Sequence, residues 1–262
     1  MPEGHTIHRL VRDIGRDLVG APVDVSSPQG RFEGAATVSG SVLDRASAIG
    51  KHLFLHFAAG TVHIHLGLFG KFRREKTPPP EPRGALRMRL VGAERTWDLR
   101  GPTACELIDD EAFAKLRARL GDDPLAADAD PEAAWAKVRK TRRALGAVLL
   151  DQRVFSGIGN VYRAEILFLL GLHPETPALS LDRAAFDALW ELSKRLLARG
   201  VKEKRIVTRD APKGVRLRRH EALHVYKKTR CGACGGAIRK LTIAARAIYT
   251  CETCQPRPTR DA

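Results

Sequence analysis

The sequence has no apolar run long enough for a membrane: no segment reaches the roughly 18 apolar residues that a spanning helix needs. It also lacks, behind its first methionine, the apolar stretch of a secretory leader. A cytoplasmic protein is therefore expected. No internal repeat is visible, which excludes solenoid and propeller arrays. Acidic residues are scarce relative to basic ones, 30 Asp/Glu against 45 Lys/Arg, for a formal net charge of +15. The imbalance gathers at one end, where residues 195–262 hold 18 Lys/Arg and 5 Asp/Glu. Such a surface attracts polyanions, and counterion release from phosphates drives nucleic-acid binding. No basic amphipathic helix with an aromatic face is present, which argues against a membrane surface as the partner.

Among what is present, Ile7, Leu10, Val11, Ile14 and Leu18 recur at helical spacing and predict an amphipathic helix from about Glu3. Pro2 would suit its first turn, where a missing N–H costs nothing. Residues 21–108 then alternate. "KHLFLHF", "TVHIHLGLFGKF", "ALRMRLV" and "RTWDL" read as strands of a β-sandwich or barrel, parted by turns such as "AAG" and "KTPPPEPRG". Beyond Asp109 the pattern turns helical: "DDEAFAKLRARLG", "DPEAAWAKVRK", "RALGAVLLDQ", "VYRAEILFLLGL" and "DRAAFDALWELSKRLLARG". The boundary falls in "GDDPLAADADP", and a basic loop from Val201 to Lys228 precedes a cysteine-bearing tail. The expected divisions are 1–120, 121–228 and 229–262, an α+β chain overall.

Cysteine is sparse, yet four of the five, Cys231, Cys234, Cys251 and Cys254, stand as two CxxC pairs sixteen residues apart. That spacing suits one tetrahedral Zn²⁺. Two disulfides are the alternative, disfavoured in a reducing compartment. The set is closed, with no open coordination position, so it does not suggest a zinc peptidase. The residues between the pairs read as a β-hairpin with Arg246 near its tip, either a solvated surface arginine or a phosphate grip. Cys105, alone in "PTACELI", reads as a buried thiol. In "DQRVFSGIGN", Gly157 and Gly159 permit unusual backbone and Asn160 can cap the next helix. The turn is either a plain helical hairpin or a cradle for a phosphate at a helix N-terminus.

Taken together, "MPEGHTIHR", "GKHLFLHF", "VHIHLGLFG", "DQRVFSGIGNVYRAEILF", "VYKKTRCGACGGAIRK" and "AARAIYTCETCQ" resemble the formamidopyrimidine-DNA glycosylase/endonuclease VIII family over nearly the whole chain. The opening "PEG" resembles the endonuclease VIII branch. The resemblance implies an N-terminal β-sandwich with a leading helix, then a helix-two-turn-helix domain ending in a Cys₄ zinc finger with one structural Zn²⁺, and DNA lying between them. It implies a cytoplasmic, nucleoid-associated bacterial monomer acting on damaged DNA, whether duplex, bubble or single-stranded. Such enzymes excise oxidised bases in base excision repair and cut the abasic strand. After removal of Met1, Pro2 would attack the sugar C1′, with Glu3 as acid/base partner. Lys51 matches a lysine that assists β-elimination and contacts phosphate. Asn160 and His65 match phosphate-contacting residues. Arg246 matches the finger arginine associated with phosphate binding and δ-elimination. Leu68 and Phe69, in "HLGLFG", read either as core or as a wedge filling the gap left by an extruded base.

Three departures qualify the match. Arg100 stands in "LRGPTAC" without the aromatic neighbour of the "RRFG" segment, which favours oxidised pyrimidines over 8-oxoguanine paired with cytosine. Ala245 precedes Arg246 where glycine is usual, and endonuclease VIII relatives carry a polar residue where Gly67 stands. A DNA-binding zinc module without catalysis would account for the charge and the tail, but not for Pro2-Glu3 together with Lys51.

Overall fold

The computed structural model describes residues 2–212 and 214–258; Met1, Lys213 and 259–262 lie outside that description, and with Met1 lies its expected removal. The chain forms two compact units, residues 1–119 and 120–262.

The first unit opens with α1 (Gly4–Leu18), whose inward face carries Ile7, Leu10, Ile14 and Leu18. Glu3 is its N-cap residue, so Pro2 lies ahead of the helix and not in the first turn. That corrects the structural role the sequence offered for Pro2. The strands that follow are β1 (Pro22–Ser26), β2 (Ser41–Val42), β3 (Arg45–Ile49), β4 (His52–Phe57), β5 (Gly60–His65), β6 (Lys71–Lys76), β7 (Leu86–Val91), β8 (Arg95–Arg100) and β9 (Ala104–Ile108). The short helix α2 (Ala35–Val38) interrupts them. They build a five-stranded sheet, β2-β1-β7-β8-β6, and a four-stranded sheet, β3-β4-β5-β9, antiparallel throughout.

Side chains alternate between faces along a strand, so Leu53, Leu55, Val62 and Ile64 meet Val23, Val25, Leu90 and Leu99 in one core that α1 completes. The opposite face of the four-stranded sheet carries His52, Phe54 and His56 beside His63 and His65. It is partly covered by α3 (Asp110–Arg119), whose Phe113 meets Phe54 edge-on with ring centroids 5.0 Å apart.

The second unit contains α4 (Pro131–Val138), α5 (Leu145–Val148), α6 (Asn160–Leu169) and α7 (Arg183–Glu203), then the hairpin β10 (Arg239–Ile243) and β11 (Arg246–Thr250). Asp130 and Asp182 cap α4 and α7, accepting from Glu132 N at 2.9 Å and Ala185 N at 2.7 Å. The helix expected over "RALGAVLLDQ" amounts to the single turn of α5. Core residues of α6 and α7, among them Tyr162, Ile166, Phe186 and Leu197, join Ile248 and Cys251 of the tail in one cluster. Glu165, fully buried in α6, accepts from Thr208 Oγ1 (2.5 Å) and from the backbone N–H groups of His224 (2.7 Å), Val225 (2.9 Å) and Tyr226 (2.8 Å). One carboxylate thereby holds both ends of the basic stretch between α7 and the finger.

Candidate active site and nucleic-acid interface

In the first unit, several of the residues singled out from the sequence collect at one end of the four-stranded sheet. The β3–β4 connection is a two-residue turn, Gly50-Lys51, closed by the pair Ile49–His52, and Gly50 has φ +60°. Glycine at the first position of such a turn lets the strands reverse tightly, and the turn places Lys51 at the sheet's edge. Antiparallel pairing sets His65 directly opposite His52, and the Thr103 N–H donates to the His65 carbonyl at 2.8 Å. Pro2 and His65 are half-buried, whereas Glu3 is 1% exposed.

The loop 66–70 leaves β5 at this same end. Its Gly70 N–H donates to the Leu66 carbonyl at 2.9 Å. A Cβ on Gly70 would stand 2.2 Å from that carbonyl oxygen, and one on Gly67 (φ +63°) would stand 1.9 Å from Thr103 Oγ1. Glycine is therefore required at both positions, and the tight loop turns its two intervening apolar side chains outward. Leu68 is 54% and Phe69 85% exposed. Neither belongs to the core, so the alternative of two ordinary core residues falls away. Arg100 is occupied locally, donating to Asp98 Oδ2 (3.2 Å) and to the Arg83 carbonyl (3.1 Å).

Behind Lys51 and His65 runs a chain that sequence reasoning missed. His63 Nδ1 lies 2.8 Å from Glu106 Oε1, and His63 Nε2 lies 2.8 Å from His52 Nδ1. A carboxylate can only accept, so His63 Nδ1 carries the proton; in neutral His63, Nε2 must then accept from His52 Nδ1–H. Burial, then the neighbouring His63 and His65, lowers His52 to about 3. Burial also lowers His63 and His65. In α1, burial followed by Arg9 lowers His5 to about 4. The signal for this row was present as histidines an even number of residues apart, four in "KHLFLHF" and two in "VHIH", but only cross-strand register shows that they meet.

In the second unit, Gln152 shapes the "SGIGN" turn by accepting from Gly157 N (3.0 Å) and donating to the Leu150 and Ile158 carbonyls at 2.9 and 3.0 Å. The N-cap of α6 is Gly159, with no side-chain cap hydrogen bond. Asn160 is thus the first helical residue and does not cap. Its Nδ2 donates instead to the Ala247 carbonyl at 2.9 Å, while its buried Oδ1 has no hydrogen-bond partner among the described residues. Tertiary contact with the finger wins over the local cap the sequence suggested. Arg246 is exposed and begins β11. The turn before it, Ala244-Ala245, has φ +53° and +56°. Left-handed backbone at a residue with a Cβ costs about 1 kcal/mol each, so the finger turn is strained.

The Sγ atoms of Cys231, Cys234, Cys251 and Cys254 all lie within 4.8 Å of one another. The Cys231–Cys254 and Cys234–Cys251 pairs stand at 3.8 and 3.4 Å, far beyond a disulfide bond. A tetrahedron with Zn–S bonds of about 2.3 Å has S···S edges of about 3.8 Å, so the four thiols fit one tetrahedral ion. Gly236 N–H points to Cys234 Sγ at 3.4 Å. Gln255 ties the second knuckle to the body, accepting from Cys251 N (3.1 Å) and donating to the Leu172 carbonyl (2.7 Å). Cys105 is buried and free, and burial pushes its thiol up to about 12, as suits an inert core residue.

Residues 1–105 match the formamidopyrimidine-DNA glycosylase N-terminal domain, and residues 120–211 match the formamidopyrimidine-DNA glycosylase H2TH domain. The chain is 46% identical over 267 residues to endonuclease 8 1 of Mycobacterium tuberculosis, an alignment covering 97% of this chain and 100% of that protein. The chain belongs to the formamidopyrimidine-DNA glycosylase/endonuclease VIII family. Within the family it is also 31% identical to the formamidopyrimidine-DNA glycosylase of Thermomicrobium roseum, over 79% of each chain. The same fold occurs in the Lactococcus lactis Fpg solved in complex with DNA containing an abasic site. That likeness has a TM-score of 0.81 at 22% identity and covers 97% of this chain and 100% of the other. The protein is a DNA glycosylase of the family, with the N-terminal sheet domain, the helical H2TH domain and the four-cysteine tail that the resemblance implied.

Proposed function

We propose that the protein is a bifunctional DNA glycosylase and AP lyase of base excision repair, acting on oxidised bases, pyrimidines above all, through an N-terminal proline Schiff base. The observation that carries this reading is the start of the chain: Pro2 lies ahead of the helix, followed by the buried carboxylate of Glu3 as N-cap residue. An α-amino group has a reference pKa of about 8 against about 10.4 for lysine, so far more of it is unprotonated at neutral pH. The positive end of α1 further disfavours protonation of Pro2.

The Pro2 nitrogen bonds to C1′ as the bond from C1′ to the base breaks, and Glu3 serves as the acid/base partner that protonates the opening sugar. A secondary amine yields an iminium that has no N–H proton to lose. Its fixed positive charge acidifies the C2′ hydrogen, whose loss expels the 3′ phosphate in β-elimination, with Lys51 assisting. Arg246 supports the second, δ, elimination. Lys51, His65, Asn160 and Arg246 grip phosphates. Leu68 and Phe69 enter the gap left by the extruded base, a role favoured by their exposure on a loop built by glycines. Cys231, Cys234, Cys251 and Cys254 hold a structural Zn²⁺ that staples the finger, residues 229–262. The enzyme works as a monomer in the bacterial cytoplasm and nucleoid, on duplex, bubble or single-stranded DNA.

The test is borohydride trapping on abasic DNA followed by peptide mapping. An adduct at Pro2, lost when Met1 is retained, is expected. Binding without an adduct would reduce the protein to a DNA-binding module, and an adduct on a lysine would move the nucleophile. An incision panel with defined lesions in each strand context should favour oxidised pyrimidines.

A further inference from the structure

The buried face of α6 carries a charged residue to which nothing above gives a task. Arg163 is 0% exposed. Its Nη1 donates to the Gly146 carbonyl at 2.7 Å and to the Ile243 carbonyl at 3.3 Å. Its Nη2 donates to the Arg246 and Ala247 carbonyls at 3.2 and 3.4 Å. Ile243 and Arg246 are the pair that closes the strained Ala244-Ala245 turn. The guanidinium therefore holds the backbone on both sides of that turn. Asn160, three residues earlier and on the same face of α6, adds its bond to the Ala247 carbonyl. The seat is also closely packed: a Cβ on Gly146 would stand 3.2 Å from the Pro174 carbonyl oxygen, 3.3 Å from Ile248 Cδ1 and 3.4 Å from Ile243 Cδ1, so the hairpin's side chains would have to give by a few tenths of an ångström.

We propose that Arg163 is a positioning residue for Arg246: its buried planar fork seats the finger turn by its carbonyls and so aims the arginine that grips DNA. Two alanines do not favour a turn in which both residues are left-handed; Asn-Gly does. The side chains of α6 supply the hold that the turn's own residues do not. Only arginine offers several donors in a fixed plane. A lysine keeps the charge but cannot bridge carbonyls on α5 and on both sides of the turn.

This rests on the reading of Arg246 as a phosphate-binding residue, and the experiment separates the two. Full-length zinc-loaded protein is compared as wild type, R163K, R246A and R163K combined with A244N and A245G. The readouts are the Kd for a duplex bearing a tetrahydrofuran abasic analogue, the ratio of δ- to β-elimination products on abasic DNA, and zinc content. R163K is expected to keep its zinc and its borohydride adduct, to bind about tenfold more weakly, and to shift its products towards β-elimination. The Asn-Gly turn is expected to restore most of the loss, which a merely structural defect in α6 would not allow. If R246A weakens binding while R163K does not, or if the Asn-Gly turn fails to rescue zinc-loaded R163K, the positioning role is overturned. If R246A itself behaves as wild type, the reading of Arg246 falls first. Should R163K shed zinc, the decision passes to G146A, which crowds the same seat without removing a donor. Weaker binding with fewer δ-products supports the proposal, and wild-type values in both overturn it.

Discussion

At the scale of single residues, exposure and backbone geometry divide the loop 66–70 into parts with opposite expected phenotypes. Phe69 makes little of its contact with the fold, so Phe69→Ala should change stability by no more than about 0.5 kcal/mol while lowering excision from duplex DNA. Gly67→Ala should do the reverse, losing about 1–3 kcal/mol in thermal unfolding because the new Cβ meets both a positive φ and Thr103 Oγ1. A Phe69→Ala variant that melts early, or one with full activity on duplex, would remove the wedge role. Residue identity alone could not divide the two. "HLGLFG" shows apolar residues among glycines, but whether they face inward or outward depends on the hairpin closure and on Thr103, which lies more than thirty residues later. Asn160 teaches the same lesson, because its partner is the Ala247 carbonyl, far along the chain.

At the scale of elements, local periodicity carried well and long-range register did not. The spacing of Ile7, Leu10, Ile14 and Leu18 is that of the buried stripe of α1, and the alternation in "HLFLHF" is that of β4. What the alternation concealed was the outward side, where His52, His56, His63 and His65 share one face. Each is lowered from its ordinary value of 6.5, burial being the largest cause. A histidine with a depressed folded value binds fewer protons when folded than when unfolded, so stability rises with pH below about 6.5 and is lost as acid is added. The groups facing this row are Lys51, Arg119, Glu106, Arg45, Asp44 and Asp110. The melting temperature should therefore fall steadily from pH 7 to pH 5, and the fall should be shallower in His63→Phe. A flat profile over that range would show that the row titrates as it would in an unfolded chain.

At the scale of the whole molecule, the cysteine spacing and the motif order were legible because they are strings, whereas the seat of the finger was not. Arg163 sits in "VYRAEILF" looking like one more basic residue of a basic protein, and only the packing of the hairpin on α6 takes it out of solvent. Glu165, two residues on, has a consequence of its own. Because one carboxylate receives both Thr208 and the backbone of residues 224–226, the intervening segment is an appendage on a closed clasp. A protease site engineered between Asp210 and Arg219, once cut, should give two peptides that part on a denaturing gel yet travel together through gel filtration. Glu165→Gln, whose amide nitrogen cannot accept the two bonds made to one carboxylate oxygen, should lower the melting temperature of the cut pair, while the hairpin packed on α6 still holds the pieces together. Continuity of the covalent chain would then be dispensable at this point, and the enzyme would behave as a complemented pair of fragments.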